Sequence, residues 1–442
     1  MGKRERIFIG LLEVAGYAHK LGLGFEGLGH KVSVCCLDDA FSYSLKGHNW
    51  AIALYRRLKR RIQQPRHSRL RSTSLRAGMA FCKVWLFLRA ISTNEVFIFL
   101  SSVSFFHYHD LPILRLFGKK IIFVFLGSDS RPWYLNGSVV TKARGIPLQE
   151  VMKRVVAQKR AIKIIERYSD IMVDHPPAGQ LHERPFISFL RMGFPMRLPL
   201  DLKPITDDSS GSIRIVHAPS FPEAKGSDYF AYCIEALKRE GYHIEYVVVK
   251  GLSNEKVLAE LAKCDLVLDE LYSDSPLAGL ASEAAFLGKP AIVGSYTKRE
   301  QLGIPNELIP PSAFVHPEKI DAEIRRLCDS KETRERLGEK AREFVTTQWA
   351  PEQVAERFLV ALRGPIPRGW LVEPQGIVWF SGWGISQEGL KSLLASYIAE
   401  FGESGMYLGD KPELLSAIRS FAFGLNAKTV PYPGNDTVGL RK

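Results

Sequence analysis

Short apolar runs alternate with amphipathic segments of helix length along most of this chain, and the alternation restarts once, which restricts the fold more than any other feature. Such an order is that of a parallel sheet with crossover helices, because parallel neighbours need a long connection that a helix fills. "RIFIGLL", "KVSVCCL", "EVFIFLSS", "KKIIFVFLG", "DIMVDHPP" and "PFISFLRMG" are the strand-like segments of the first series. Between them lie "YAHKLGLGFEGLGH", ending near Gly29, then "DLPILRLFG" and the long basic "LQEVMKRVVAQKRAIKIIERYS". The polar stretch Pro199–Ser212, rich in Pro, Ser and Asp, is the best linker in the chain. Beyond it "IRIVHAP", "IEYVVVK", "DLVLDEL" and "PAIVG" alternate with "DYFAYCIEALKREG", "NEKVLAELAKC" and "GLASEAAFLG".

The chain's 442 residues exceed what one core holds, since single cores stop growing at about 250–300 residues. The expected architecture is therefore α/β, with two Rossmann-like lobes at 1–198 and 211–363 and an extension at 364–442. In open parallel sheets ligands bind beyond the carboxyl ends of the strands, which here means the cleft between the lobes. The extension holds an aromatic, Gly-rich stretch, "GWLVEPQGIVWFSGWGIS", and an amphipathic "QEGLKSLLASYIAEFG". Its aromatics fit packing better than a cofactor box, and no chemistry is assigned to it.

The six cysteines are scattered with no C-x-x-C pair, which argues against a disulfide framework or zinc knuckle and for a reducing compartment. The N-terminus turns apolar only briefly before Glu13, so it is expected to be a first strand and not a signal peptide. The most membrane-like window is interrupted by Lys83, Arg89 and Glu95 and is too broken to span a bilayer. A cytoplasmic location is the expectation.

A net charge of +13 implies an anionic partner. Residues 55–76 are nearly all cationic or small and polar. "WAIALYRRLKRRI" sets Trp50, Ile52, Leu54 and Leu58 beside Arg and Lys, which suits peripheral docking on an anionic membrane as well as a solvated surface. None of the usual nucleic-acid-binding motifs is present, so nucleic acid is not the expected partner. His107, His109 and Asp110 in "HYHD" fit a loop or helix cap better than a metal site.

Chemistry concentrates in the second series. In "IVHAPSFPEAKGSDYF" Lys225 follows a strand, and Gly226 with a Ser-Asp pair opens a helix, so backbone N–H groups and one ammonium could share a phosphate. In Val267–Gly294, Gly279 lets the backbone approach a ligand at a second helix start. Glu283 follows one turn later, placed either to accept hydrogen bonds from ribose hydroxyls or to favour the helix dipole.

"HAPSFPEAKGSDYF" followed by "CDLVLDELYSDSPLAGLASEAAFLGKPAIVG" resembles the C-terminal lobe of GT-B-fold glycosyltransferases, in particular the family-four-like retaining group. Lys225-Gly226, Glu283-Ala284-Ala285 and Gly288-Lys289-Pro290 occur in that group's order. "EVAGYAHKLGLGFEGLGHKV" and "HDLPILRLFGKKIIFVFLGSDSR" resemble its first lobe, and the likeness runs from Ile7 to Leu362. The resemblance implies transfer of a sugar from a nucleotide-sugar donor to a cell-envelope or polysaccharide acceptor, with retention. It implies no metal and no cofactor beyond the nucleotide-sugar co-substrate, and a glycan or lipid-linked acceptor as partner. It assigns Lys225 to the pyrophosphate, Glu283 to the ribose, and Gly279 and Leu280 to the phosphates through their N–H groups. Ser220 is grouped with these on the donor side. Gly16 would let the first-lobe loop approach, and Asp129 and Arg131 would stand near the acceptor, with Lys225 and Asp129 as the catalytic pair. The chain departs from the pattern at Ser275, where a Glu is common, at Leu126, where a His is common, and at Pro219, where an Arg is common. Each removes a polar group from around the sugar or the pyrophosphate. A GT-B-like protein that binds nucleotide or glycan without turnover is the alternative expectation.

Overall fold

The computed structural model describes residues 3–39, 49–63, 69–140, 145–199, 202, 204 and 211–424. Six strands open the chain: β1 (Arg6–Glu13), β2 (Lys31–Asp39), β3 (Val96–Leu100), β4 (Lys120–Val124), β5 (Ile171–Asp174) and β6 (Phe186–Ser188). Five more follow the linker: β7 (Ile213–His217), β8 (Ile244–Val248), β9 (Leu266–Leu268), β10 (Ala291–Gly294) and β11 (Ala313–Val315). A last short strand, β12 (Leu371–Val372), pairs antiparallel with β6, so the first sheet has seven strands in the order β12-β6-β5-β4-β3-β1-β2. The second sheet has five, ordered β11-β10-β9-β7-β8, and all its pairings are parallel. The expected α/β class with two Rossmann-like lobes holds.

The strands are apolar on both faces because helices cover both, as parallel sheets require. On one side of the first sheet Phe8, Phe97, Phe99 and Phe123 pack under the helices Trp50–Ile62, Arg69–Thr93 and Leu148–Tyr168. On the other side Ile7, Ile9, Ile98 and Ile122 meet the helix Tyr17–Gly27 and the helix Pro351–Arg363. The latter, grouped by sequence with the second lobe, lies so close to Tyr17–Gly27 that a Cβ at Gly24 would overlap the Pro351 carbonyl.

The extension is built into the first lobe. Leu390, Leu394, Tyr397, Leu414 and Ile418 share one core with Phe105, Leu135 and Val151, and Tyr134 donates a hydrogen bond to the Met406 carbonyl at 3.0 Å. Most of the expected linker and the end of the extension, 425–442, lie outside the described residues, as do residues 64–68 of the basic stretch. No helix among the described residues is long and apolar enough to cross a membrane. Of the helix Trp50–Ile62, Trp50 and Leu54 are exposed while Ile52, expected on the same apolar edge, is buried in the core.

Candidate functional site

The strand order reverses between β1 and β3 in one sheet and between β7 and β9 in the other. Chain connections diverge at such a switch point and leave a crevice at the carboxyl ends of the strands. The two crevices face each other and enclose a cavity of about 570 Å³. The first lobe lines it with Val14 and Ala15 after β1, Ser101 after β3, Leu126–Asp129 and Arg131 after β4, and His175 after β5. The second lobe contributes Ala218–Phe221 and Lys225 after β7, and Glu270 and Ser273–Ser275 after β9.

Asp129, Ser220, Lys225, Gly279, Leu280 and Glu283, drawn from distant parts of the chain, therefore meet on one wall system. Gly16 does not line the cavity. It takes the left-handed conformation (φ 76°) that begins the helix Tyr17–Gly27, while its neighbours Val14 and Ala15 reach the cavity. The Glu13 carboxylate accepts the Ala18 and His19 N–H groups, both at 3.2 Å, and holds that turn in place. Across the cleft, a Cβ at Gly279 would stand 3.8 Å from Ala15 Cβ, so the lobes approach closely here.

Of the two helix starts expected at an anion, only one faces the cavity. Behind Lys225, Gly226 (φ 75°) packs against Leu271 and starts the helix Ser227–Arg239, whose first residues are absent from the cavity wall. Ser227 is instead bonded to the buried His217 ring at 2.8 Å. The helix Gly279–Phe286 does open onto the cavity, and its N-cap, Ala278, has no side chain with which to cap it. One turn on, Glu283 is buried and accepts a hydrogen bond from Asn254 Nδ2 at 2.9 Å. Lys20 of the first lobe is also buried. Desolvation pulls its ammonium below the usual lysine range against the attraction of Glu283 and Glu13.

Lys225 is not a lone cation. Its ammonium contacts Glu270 Oε1 and lies 3.5 Å from Asp269 Oδ1. Burial disfavours its charge, but the two carboxylates outweigh burial and raise its pKa. Asp269 pays for the crowding. Burial pushes its pKa up to about 6, with Lys225 opposing, Glu270 adding to the rise and the Ala281 N–H opposing.

The first-lobe side carries Asp129 and Arg131. Asp129 Oδ1 accepts the Leu126 N–H at 2.9 Å, and among the described residues Oδ2 is buried with no partner at hydrogen-bond geometry. Burial and the nearby Asp174 carry its pKa up to about 6. Arg131 is buried, pairs across the cleft with Asp274, and sits over the Trp383 ring at 5.5 Å. Burial brings its pKa down to about 10 against the pull of Asp174, Glu270 and Asp129. His175 stacks on Phe189 at 4.2 Å, and burial lowers its pKa to about 4, so it is neutral. Asp110 of "HYHD" accepts hydrogen bonds from Ser104 Oγ at 2.7 Å and the Phe105 and Phe106 N–H groups at 3.1 and 3.0 Å, a turn-binding carboxylate. No group of three or more His, Cys, Asp or Glu among the described residues is arranged to hold a metal.

Sequence reasoning missed Asp269, Glu270 and Trp383. The two acids ending "VLDE" at a strand exit were a usable signal, since a carboxylate leaving a sheet at its ligand-binding edge is rarely there for packing. Trp383 had none, because only the tertiary structure brings it to the cleft.

Among solved structures the chain is similar to sucrose-phosphate synthase from Thermosynechococcus elongatus, with 13% identity, 81% of this chain and 98% of that one covered, and a TM-score of 0.49. It is similar to the glycosyltransferase SnogD from Streptomyces nogalater at 15% identity, covering 81% and 100%, TM-score 0.40. It is similar also to Anabaena Alr3699/HepE, solved with UDP and glucose, at 10% identity, covering 81% and 99%, TM-score 0.43. No protein-family model and no curated protein matches the sequence.

Proposed function

We propose that the chain is a glycosyltransferase that moves a sugar from a nucleotide-sugar donor to a cell-envelope or polysaccharide acceptor, with retention and without a metal. The observation that carries this reading is one inter-lobe cavity bearing Lys225, the start of the helix Gly279–Phe286, whose N-cap Ala278 makes no side-chain cap, and buried Glu283 on one side, with Asp129 on the other.

In the proposed reaction the bond between the sugar's anomeric carbon and the diphosphate oxygen breaks, and the diphosphate keeps the electron pair. The acceptor oxygen bonds to the anomeric carbon on the face that the diphosphate leaves, and its proton passes to the departing diphosphate oxygen. Charge grows on the leaving diphosphate, so a fixed cation and oriented N–H dipoles aimed there lower the barrier most. Lys225 and the Gly279 and Leu280 N–H groups take that part, with Ser220 beside them. Glu283 receives the ribose, and Asp129 orients the acceptor hydroxyl. The exposed Trp50, Leu54, Arg57, Arg60 and Arg61 support peripheral docking on the cytoplasmic face of an anionic membrane. Arg56 is occupied with the Cys36 carbonyl at 2.6 Å and is left out of that surface.

The test is release of nucleoside diphosphate from a panel of nucleotide-sugars. Turnover that Lys225→Ala lowers at least about tenfold, the scale of one charged hydrogen bond, supports the reading. Absence of turnover with every donor defeats it. One observation favours the second reading, a GT-B-like protein that binds without turnover: Lys225 is already held by two carboxylates. Nucleotide binding without transfer or donor hydrolysis would select that one.

A further inference from the structure

Trp383 belongs to the C-terminal extension yet lines the cavity between the lobes. Its main chain is fixed to the first lobe, with Trp383 N–H donating to the Leu135 carbonyl at 3.1 Å and its own carbonyl accepting from Gly137 N–H at 2.6 Å. The next residue is fixed to the second lobe, where Gly384 N–H donates to the Tyr272 carbonyl at 2.9 Å. The contact leaves no room for side chains. A Cβ at Gly137 would overlap the Gly384 main chain, and one at Gly384 (φ 66°) would stand 2.8 Å from Ala224 Cβ. Thr297 Oγ1 adds a second-lobe hydrogen bond to Ser381 Oγ at 3.1 Å.

This anchored residue aims its indole N–H at Glu270 Oε2, 2.8 Å away, while Glu270 Oε1 meets Lys225. A lysine has three N–H donors. Glu270 takes one and Asp269 faces a second, which leaves the third for the cavity. Were the indole N–H removed, Oε2 would be a buried acceptor short of a partner, and unmet buried acceptors seek the nearest donor. The Lys225 ammonium already sits on the other oxygen of the same carboxylate, so turning both oxygens onto it would compete with an incoming diphosphate.

We infer that Trp383 is a positioning residue of the donor site, which pins one oxygen of Glu270 and so keeps Lys225 available to the diphosphate of a nucleotide. The inference rests on the donor-site reading above. It gives the extension a part in binding, since the strap 381–384 fixes both lobes and the carboxylate at once.

The experiment measures Kd for a nucleoside diphosphate and for the matching monophosphate, using the full chain as wild type, Trp383→Phe, Glu270→Gln and the double variant. Phenylalanine keeps an aromatic wall and loses only the donor. Trp383→Phe is expected to weaken the diphosphate about three- to tenfold, less than the loss of a whole hydrogen bond to a charged group because Lys225 itself stays in place, and to leave the monophosphate alone. In the Glu270→Gln background the same change is expected to do little further, because a neutral amide competes for the ammonium far less than a carboxylate does. Two contacting residues then show coupling that a general packing loss would not. Glu270→Gln alone is expected to bind diphosphate at least as tightly as wild type, which keeps the proposal testable if Trp383→Phe does not fold. Equal diphosphate affinity in Trp383→Phe, additive effects in the double variant, or weaker binding by Glu270→Gln would overturn the inference while leaving the donor-site reading intact. A wild type that binds no diphosphate overturns both.

Discussion

Asp129 and Asp269 sit where ionising a carboxylate is costly, and their pKa values near 6 make the cavity sensitive to pH. The sign follows from which form the fold prefers. A carboxyl whose folded pKa is raised binds its proton more readily folded than unfolded, so stability falls as pH rises from about 4 to about 6 and then levels off. Asp129→Asn removes that cost while its amide oxygen can still accept the Leu126 N–H. Its thermal midpoint should therefore exceed that of wild type at pH 7.5 and match it at pH 4. An equal gain at both values would show that Asp129 ionisation does not cost the fold. The lining residues were legible in the sequence, in that Asp129, Lys225, Gly279 and Glu283 come together on the cavity wall. The partners of Lys225 were not, because Glu270 lies 45 residues further on and no local rule pairs one strand exit with the next.

The strands and helices follow from periodicity, and their junctions from a few glycines. Gly226 is one that only glycine satisfies, because it is left-handed and a Cβ there would overlap Leu271. Gly226→Ala should lower stability by about 1–3 kcal/mol, combining backbone strain with overpacking, seen as a lower urea midpoint. An unchanged midpoint would mean that the loop after β7 yields easily. The same glycine carries Lys225 into the cavity, so the substitution should also weaken diphosphate binding. Elements were legible where a whole segment repeats one pattern, as in β3 and β4. The extension was not, because an amphipathic helix such as Gln387–Phe401 announces that it packs but not against which core. Leu394 shows the answer, fully buried under the first lobe.

At the scale of the molecule, the first lobe is completed by chain that follows the second. The helix Pro351–Arg363 covers one face of the first sheet, and the extension supplies β12, part of the opposite core and the strap across the cleft. A chain ending at residue 363 should fail to give a soluble first lobe, because Leu135, Val151 and Tyr134 lose the side chains that bury them. Soluble, cooperatively unfolding 1–363 would contradict this. Replacing Arg57, Arg60 and Arg61 with Ser should weaken pelleting with anionic vesicles, and unchanged pelleting would end the membrane proposal. The central claim is that the cavity receives a nucleoside diphosphate on Lys225. Its most direct test is thermal unfolding of wild type and Lys225→Ala with UDP, GDP, ADP, dTDP and CMP. A ligand that binds only the folded state, at a hundred times its Kd, adds about 2.7 kcal/mol of stability. The account predicts that one diphosphate raises the wild-type midpoint as its concentration rises and that Lys225→Ala loses most of the shift. No shift with any nucleotide, or the same shift in the variant, would contradict it.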